Sequence, residues 1–205
     1  MLRARSDEAK DVRRQALLSA ALDEFFEKGF AATRMSDIAK RAKLSKGALY
    51  LYFDSKVALF EALIESLAMP NLQHMRQIMN GASSVEEALN GFQTFAPMLV
   101  RHTDLPRLLK VLVGDSHTFP DLVSRYRKDL IEQVLAMVTA LLERAKSAGE
   151  IEVENPTLTA RLVIAPLILS AVWQAVFNRR GEAEVDLETL FRIHGQLMLK
   201  ALRPA

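Results

Sequence analysis

The sequence predicts an all-α protein, and three observations lead there. Apolar residues recur at three- and four-residue spacings along nearly the whole 205-residue chain. Helix-start residues and helix-stop glycines bracket those periodic runs. The one stretch that alternates like a strand, Glu150-Ile-Glu-Val-Glu154, has no partner strand and reads as a connector. About nine helices result, set out as an N-terminal three-helix part over residues 1–56 and a larger helical body over residues 57–205.

The first helix is expected from about Asp11 to Lys28, with Leu18, Leu22 and Phe25 on one face. Gly29 suits the position past its end, and Phe30 the apolar contact that follows. Arg3 and Arg5 precede it in a segment read as untied. Arg13 and Arg14 oppose the helix dipole, so phosphate contact or a solvated face accounts for them better than helix stability. Residues 33–56 then supply two short helices and a tight turn. Ile38, Ala39 and Ala42 give the first a small apolar face. Ser45 stands as N-cap of the second, whose Leu49 and Phe53 point inward. Lys46, Gly47, Tyr50 and Leu51 look outward, and Asp54-Ser55 opens the next helix, so the second is barely two turns long. Such a pair is a helix-turn-helix, whose second helix enters the DNA major groove with its N-terminal residues at the base edges.

The run Thr33…Asp37-Ile38-Ala39…Ser45-Lys46-Gly47-Ala48-Leu49-Tyr50-Leu51-Tyr52-Phe53…Ser55-Lys56 resembles the DNA-binding signature of the TetR/AcrR family. The likeness is dense and ungapped. It implies a bacterial, all-helical, dimeric transcription regulator, usually a repressor released by a small molecule. Two positions depart from the family pattern: Lys43 stands where the turn usually carries Gly, and Arg34 where a small hydroxyl residue is common. A turn that needs positive φ would strain a lysine at position 43.

The expected groove-facing set is Ser45, Lys46, Gly47, Ala48, Tyr50 and Leu51. Lys46 can bond guanine O6 and N7 or a phosphate, Gly47 lets the backbone come close, and Ala48 and Leu51 suit thymine methyls. Tyr50, Tyr52, Thr33 and Lys56 are assigned to phosphates, which fix register without reading sequence. Charge agrees with this placement. Residues 1–56 carry 12 Lys/Arg against 8 Asp/Glu, whereas the remainder carries 15 against 17, a basic head on a slightly acidic body.

Other chemistry finds little support. The chain has no cysteine, which removes disulfides, thiol catalysis and cysteine metal sites and fits a reducing cytoplasm. Its first residues are polar, so no signal peptide is expected. The longest apolar stretch, Leu162 to Phe177, is interrupted by Pro166, Ser170 and Gln174 and reads as a buried helix rather than a membrane span. No phosphate-binding glycine loop or paired histidine spacing is present, so neither cofactor nor metal is expected.

In the body, helix 4 should kink or stop at Pro70 and resume to Gly81. Ser83-Ser84 with Glu86-Glu87 forms a doubled capping-box pattern. Asp104-Leu-Pro106, Thr118-Phe-Pro120, Asn155-Pro156 and Asp186 open later helices, with Gly181 ending the apolar one. Asp115-Ser116-His117 invites a hydrolase reading. Triad members meet in space rather than in sequence, however, and no strand presents a nucleophile elbow. Phe92, Phe95, Met98, His102, His117, Tyr126, Trp173 and Phe177, with Ser170 and Gln174 as polar groups, are expected to line a cavity. The resemblance places an inducer among these helices, and their chemistry suits a small, mostly apolar effector. The last two helices are apolar on more than one face, one for the core and one for a partner subunit. The reading is a cytoplasmic homodimeric regulator, not an enzyme, bound to a near-palindromic DNA duplex. Its rivals are a DNA-binding protein with no effector and a hydrolase using the Asp115 turn.

Overall fold

In the computed structural model the described residues are 2–117, 119–178 and 184–204, with side chains of residues 2–7 and of Leu122 excluded. Regular structure among them is entirely helical: α1 Leu2–Lys28, α2 Met35–Arg41, α3 Lys46–Tyr50, α4 Lys56–Gly81, α5 Val85–His102, α6 Leu105–Gly114, α7 Pro120–Tyr126, α8 Glu132–Ser147, α9 Pro156–Val176 and α10 Leu187–Leu202. A π-helical segment, Arg127–Ile131, joins α7 to α8 without a break.

Five helix starts are capped as the sequence dictates, by Ser45, Ser55, Ser84, Asn155 and Asp186. Ser84 Oγ accepts from the Glu87 amide at 3.1 Å, and the Glu87 carboxylate accepts in return from the Ser83 amide at 2.7 Å. Asn155 and Asp186 each accept from the amide three residues on, both at 3.0 Å. Two expectations need correction. The backbone of α1 is helical from Leu2, so Arg3 and Arg5 lie within the helix rather than ahead of it. α4 continues through Pro70, so of the kink or stop expected there the stop is overturned. The proline removes only the amide that would have bonded the Ser66 carbonyl, and Asn71 Nδ2 donates to the next carbonyl, that of Leu67, at 2.7 Å. Thr118 and Gly181, read as helix boundaries, lie outside the described residues.

The chain forms two compact units, residues 1–66 with 110–124 and residues 67–109 with 125–205. The first is built on an aromatic cluster. Phe30 is fully buried, with its ring centre 5.0 Å from Phe25, 5.1 Å from Phe60 and 4.6 Å from Phe119, tilted and edge-on spacings that suit ring quadrupoles. α1 and α2 are also tied electrostatically. The Arg41 guanidinium meets Glu24 at 2.7 Å and Glu27 at 2.5 Å, which holds its proton more tightly than in free arginine.

In the second unit α5 packs along α9 and α10. Phe92 meets Phe191 edge-on at 5.8 Å. Gly195 lets the helices close: a Cβ there would lie 1.9 Å from Gln93 Nε2 and 2.9 Å from its Cγ. The connector at Ile151 and Val153 is buried and is indeed no strand; the Glu152 amide donates to the Leu202 carbonyl at 2.9 Å.

Candidate nucleic-acid interface

The turn between α2 and α3 is shaped by its backbone. The Leu44 amide donates to the Ala39 carbonyl at 2.9 Å and the Lys43 amide to Lys40 at 3.1 Å, which requires φ of +56° at Lys43. A side chain in that left-handed conformation costs about 1–2 kcal/mol. Ser45 then caps α3, its Oγ accepting from the Ala48 amide at 3.0 Å. Below the turn Ile38, Ala39, Leu49 and Phe53 are buried and anchor both helices.

What remains faces water. Leu51 is 86% exposed and Tyr50 41% exposed, neighbours on the outer side of this short helix. Ser45, Lys46 and Gly47 are exposed and Ala48 half-buried. The Lys46 ammonium lies 5.8 Å from the centre of the Tyr50 ring. Tyr52 is half-buried beside Phe53. The six residues expected to face the groove thus lie on one short helix and its cap, with only Ala48 partly covered.

Two residues expected to reach phosphates do not have side chains free to do so. Thr33 is only 2% exposed, and its hydroxyl donates to the Gly29 carbonyl at 2.8 Å, within reach also of the Glu24 carbonyl at 3.1 Å. Lys56 is turned onto the loop between α1 and α2, donating to the carbonyls of Phe30, Ala31 and Thr33 at 2.5, 3.1 and 2.8 Å. Burial lowers the affinity of that ammonium for its proton, and the charge of Asp115 partly offsets this. Hydrogen-bond satisfaction of a tight loop has taken both residues.

Asp115 completes the same loop and was missed as a support. Its carboxylate accepts from the amides of Phe30 at 2.8 Å and Ala31 at 3.3 Å. Ser116 Oγ donates instead to the Val113 carbonyl at 2.9 Å, and His117 is exposed. The three neighbours serve separate ends, and their adjacency is that of a helix-ending turn.

The residues expected to line a body cavity are scattered. Phe92 and Phe95 are core, Phe95 in ring contact with His74 at 4.5 Å. Tyr126 is buried, which pushes its hydroxyl pKa up, and Ser170 is buried. Trp173 and Phe177 are exposed and in tilted ring contact at 5.1 Å, while exposed Gln174 accepts from Asn178 at 3.0 Å. Met98 and His102 do line a groove of about 550 Å³, with Asn90, Gln93, Thr94, Pro97, Glu188 and Arg192; its lining mixes polar and apolar groups and holds no Phe, Tyr or Trp. α9 is by length and composition apolar enough to cross a membrane, but a third of its 18-residue window of mean hydropathy 1.6 is buried. The expectation of a buried helix therefore holds for one face only.

The family model for bacterial regulatory proteins of the tetR family matches residues 17–63, and that for the AefR-like transcriptional repressor C-terminal domain matches residues 87–187. The chain belongs to the TetR family of transcriptional regulators. This TetR-family chain is 29% identical over 137 residues to the uncharacterized HTH-type transcriptional regulator YdeS of Bacillus subtilis, covering 67% of its own length and 66% of YdeS. It therefore spans just under two thirds of that curated relative. Its fold matches NalD, the secondary repressor of the MexAB-OprM multidrug efflux pump in Pseudomonas aeruginosa, with a TM-score of 0.74 at 19% identity, over 95% of this chain and 97% of NalD. FadR of Bacillus subtilis, solved in complex with stearoyl-CoA, matches with a TM-score of 0.63 at 18% identity, over 91% and 98% of the two chains.

Proposed function

We propose that this TetR-family DNA-binding regulator is a cytoplasmic homodimeric repressor that grips a near-palindromic duplex through Ser45, Lys46, Gly47, Ala48, Tyr50 and Leu51. A small, mostly apolar effector releases it. The observation that carries the reading is the exposure of Tyr50 and Leu51 on a capped helix whose opposite side, Leu49 and Phe53, is sunk in the core. Lys46 supplies charge to bases or phosphates, and Leu51 an apolar contact for a thymine methyl.

The dimer reading rests on α9 and α10. Leu158, Leu162, Leu169 and Trp173 are exposed on α9, and Leu190, Ile193 and Leu197 on α10. Both sets follow helical spacing, and the two helices touch through His194, which lies 3.1 Å from the Val163 carbonyl. A second copy seated on this continuous apolar surface gives an isologous four-helix contact. The effector reading is supported by the buried hydroxyls of Tyr126 and Ser170 inside an otherwise apolar body, and by the π segment that follows Tyr126, a local irregularity often found at functional sites. It is also supported by FadR of Bacillus subtilis, a protein of similar fold solved in complex with stearoyl-CoA.

The test is fluorescence anisotropy on duplexes enriched from a random pool by the full chain, followed by challenge with hydrophobic and phosphorylated compound sets. Enrichment of inverted repeats, two chains bound per duplex and release by hydrophobic compounds are expected. Enrichment of no sequence removes the operator assignment. Release by phosphorylated compounds alone removes the apolar effector.

A further inference from the structure

We infer that Lys43 is a DNA-phosphate contact, kept in a strained turn because its charge is needed there. Three observations converge on it. Its backbone is left-handed, at φ +56°, and it is the one non-glycine residue so placed among those described. Glycine would adopt that conformation freely. Strain of this kind persists where surrounding structure imposes it, and it clusters at working surfaces.

The turn's backbone hydrogen bonds account for the left-handed conformation but not for a lysine in it. The Lys43 side chain is exposed, and among the described residues no carboxylate pairs with it. Three other cations of this unit are committed internally: Lys28 to Glu24 at 2.5 Å, Arg41 to Glu24 and Glu27, and Lys56 to three loop carbonyls, whereas Lys10, Arg13 and Arg34 are exposed. Lys40, Lys43 and Lys46 are exposed as well, at three-residue intervals across the end of α2, the turn and the start of α3.

The position suits a phosphate. Three residues of chain span at most about 11 Å, the rise of about three phosphates along one DNA strand. A cation that close to Lys46 must lie near the backbone once Lys46 reaches the groove. A phosphate contact made there strengthens binding to every sequence alike and releases one counterion per head.

The test uses the full chain and a random-sequence 40-base-pair duplex, so it does not depend on knowing the operator. Lys43→Gly should raise the melting temperature by about 2–4 °C yet weaken binding, with the slope of log affinity against log salt falling by about 0.9 for each bound head. Lys43→Gln keeps the strain and loses the charge, so it should melt like wild type and bind like Lys43→Gly. Lys43→Arg should keep both affinity and slope. The proposal is overturned if Lys43→Gln binds with wild-type affinity and slope, because any loss in Lys43→Gly would then come from a looser turn. Lys46→Glu, measured in parallel on selected operator, reports separately on the recognition helix.

Discussion

Asp115 holds Phe30 by its backbone, accepting the Phe30 amide at 2.8 Å across 85 residues of sequence. Lys56 takes the carbonyl of the same residue at 2.5 Å, so the loop after α1 is satisfied from both sides. Asp115→Ala should therefore destabilise the protein by about 1–3 kcal/mol, the usual effect of orphaning donors from a charged acceptor. Asp115→Asn, which keeps one acceptor oxygen, should recover part of that. Urea unfolding measures both; an alanine variant as stable as wild type would remove Asp115 from the loop's support.

At the recognition helix, Lys46→Glu should abolish specific binding, and Tyr50→Ala should weaken it by about 1–3 kcal/mol. Both side chains are exposed, so neither change should alter the melting curve. Anisotropy on selected operator, read beside calorimetry, separates loss of contact from loss of fold. Wild-type affinity in the glutamate variant would refute the assignment.

Where α5 crosses α10, Gly195→Ala forces Gln93 aside, since the new methyl would meet its Nε2, Cδ and Cγ at 1.9, 2.4 and 2.9 Å. Because the obstacle is a flexible, half-exposed side chain and alanine favours a helix interior by about 1 kcal/mol, the net effect is smaller than that of core overpacking, about 1–3 kcal/mol. Adding Gln93→Ala removes the obstacle, so the double variant should be more stable than Gly195→Ala alone. Thermal denaturation of the four proteins gives the coupling; strict additivity would contradict the crossing described.

His194 gives the unfolding equilibrium a pH dependence. Burial holds its imidazole below the ordinary value of 6.5, although its bond to the Val163 carbonyl works the other way. The unfolded chain then binds the proton more readily than the folded one, so this contribution is present above about pH 6.5 and is lost as pH falls through the folded value. The melting temperature should drop over that interval, and His194→Gln should flatten the drop. An unchanged profile in the variant would show that His194 is not the titrating group.

Much of this architecture was legible in the sequence because it is written in local chemistry. Ser45, Ser84, Asn155 and Asp186 cap the helices they precede, and Leu49 and Phe53 bury at the spacing a helix imposes. Side-chain placement was not legible where distant groups compete. Thr33 and Lys56 look like phosphate ligands until the loop at residues 29–33 is seen to need their hydrogen bonds. Trp173 and Phe177 look like cavity lining because hydrophobicity alone does not say which face of α9 looks inward. Asp115 carried no signal, since an aspartate after a helix is common and its partners are 84 and 85 residues away.

The aromatic cluster around Phe30 bears on protein engineering. Chimaeric regulators are made by transplanting an N-terminal DNA-binding segment onto a foreign body, on the premise that the segment is self-contained. Here a graft of residues 1–66 would leave behind Phe119, which covers the Phe30 ring at 4.6 Å, and Asp115, which answers the Phe30 and Ala31 amides. The donor segment would arrive with a bared ring and two unanswered amides in the loop ahead of α2. A working hybrid must carry residues 110–124 across as well, or find their equivalents in the recipient.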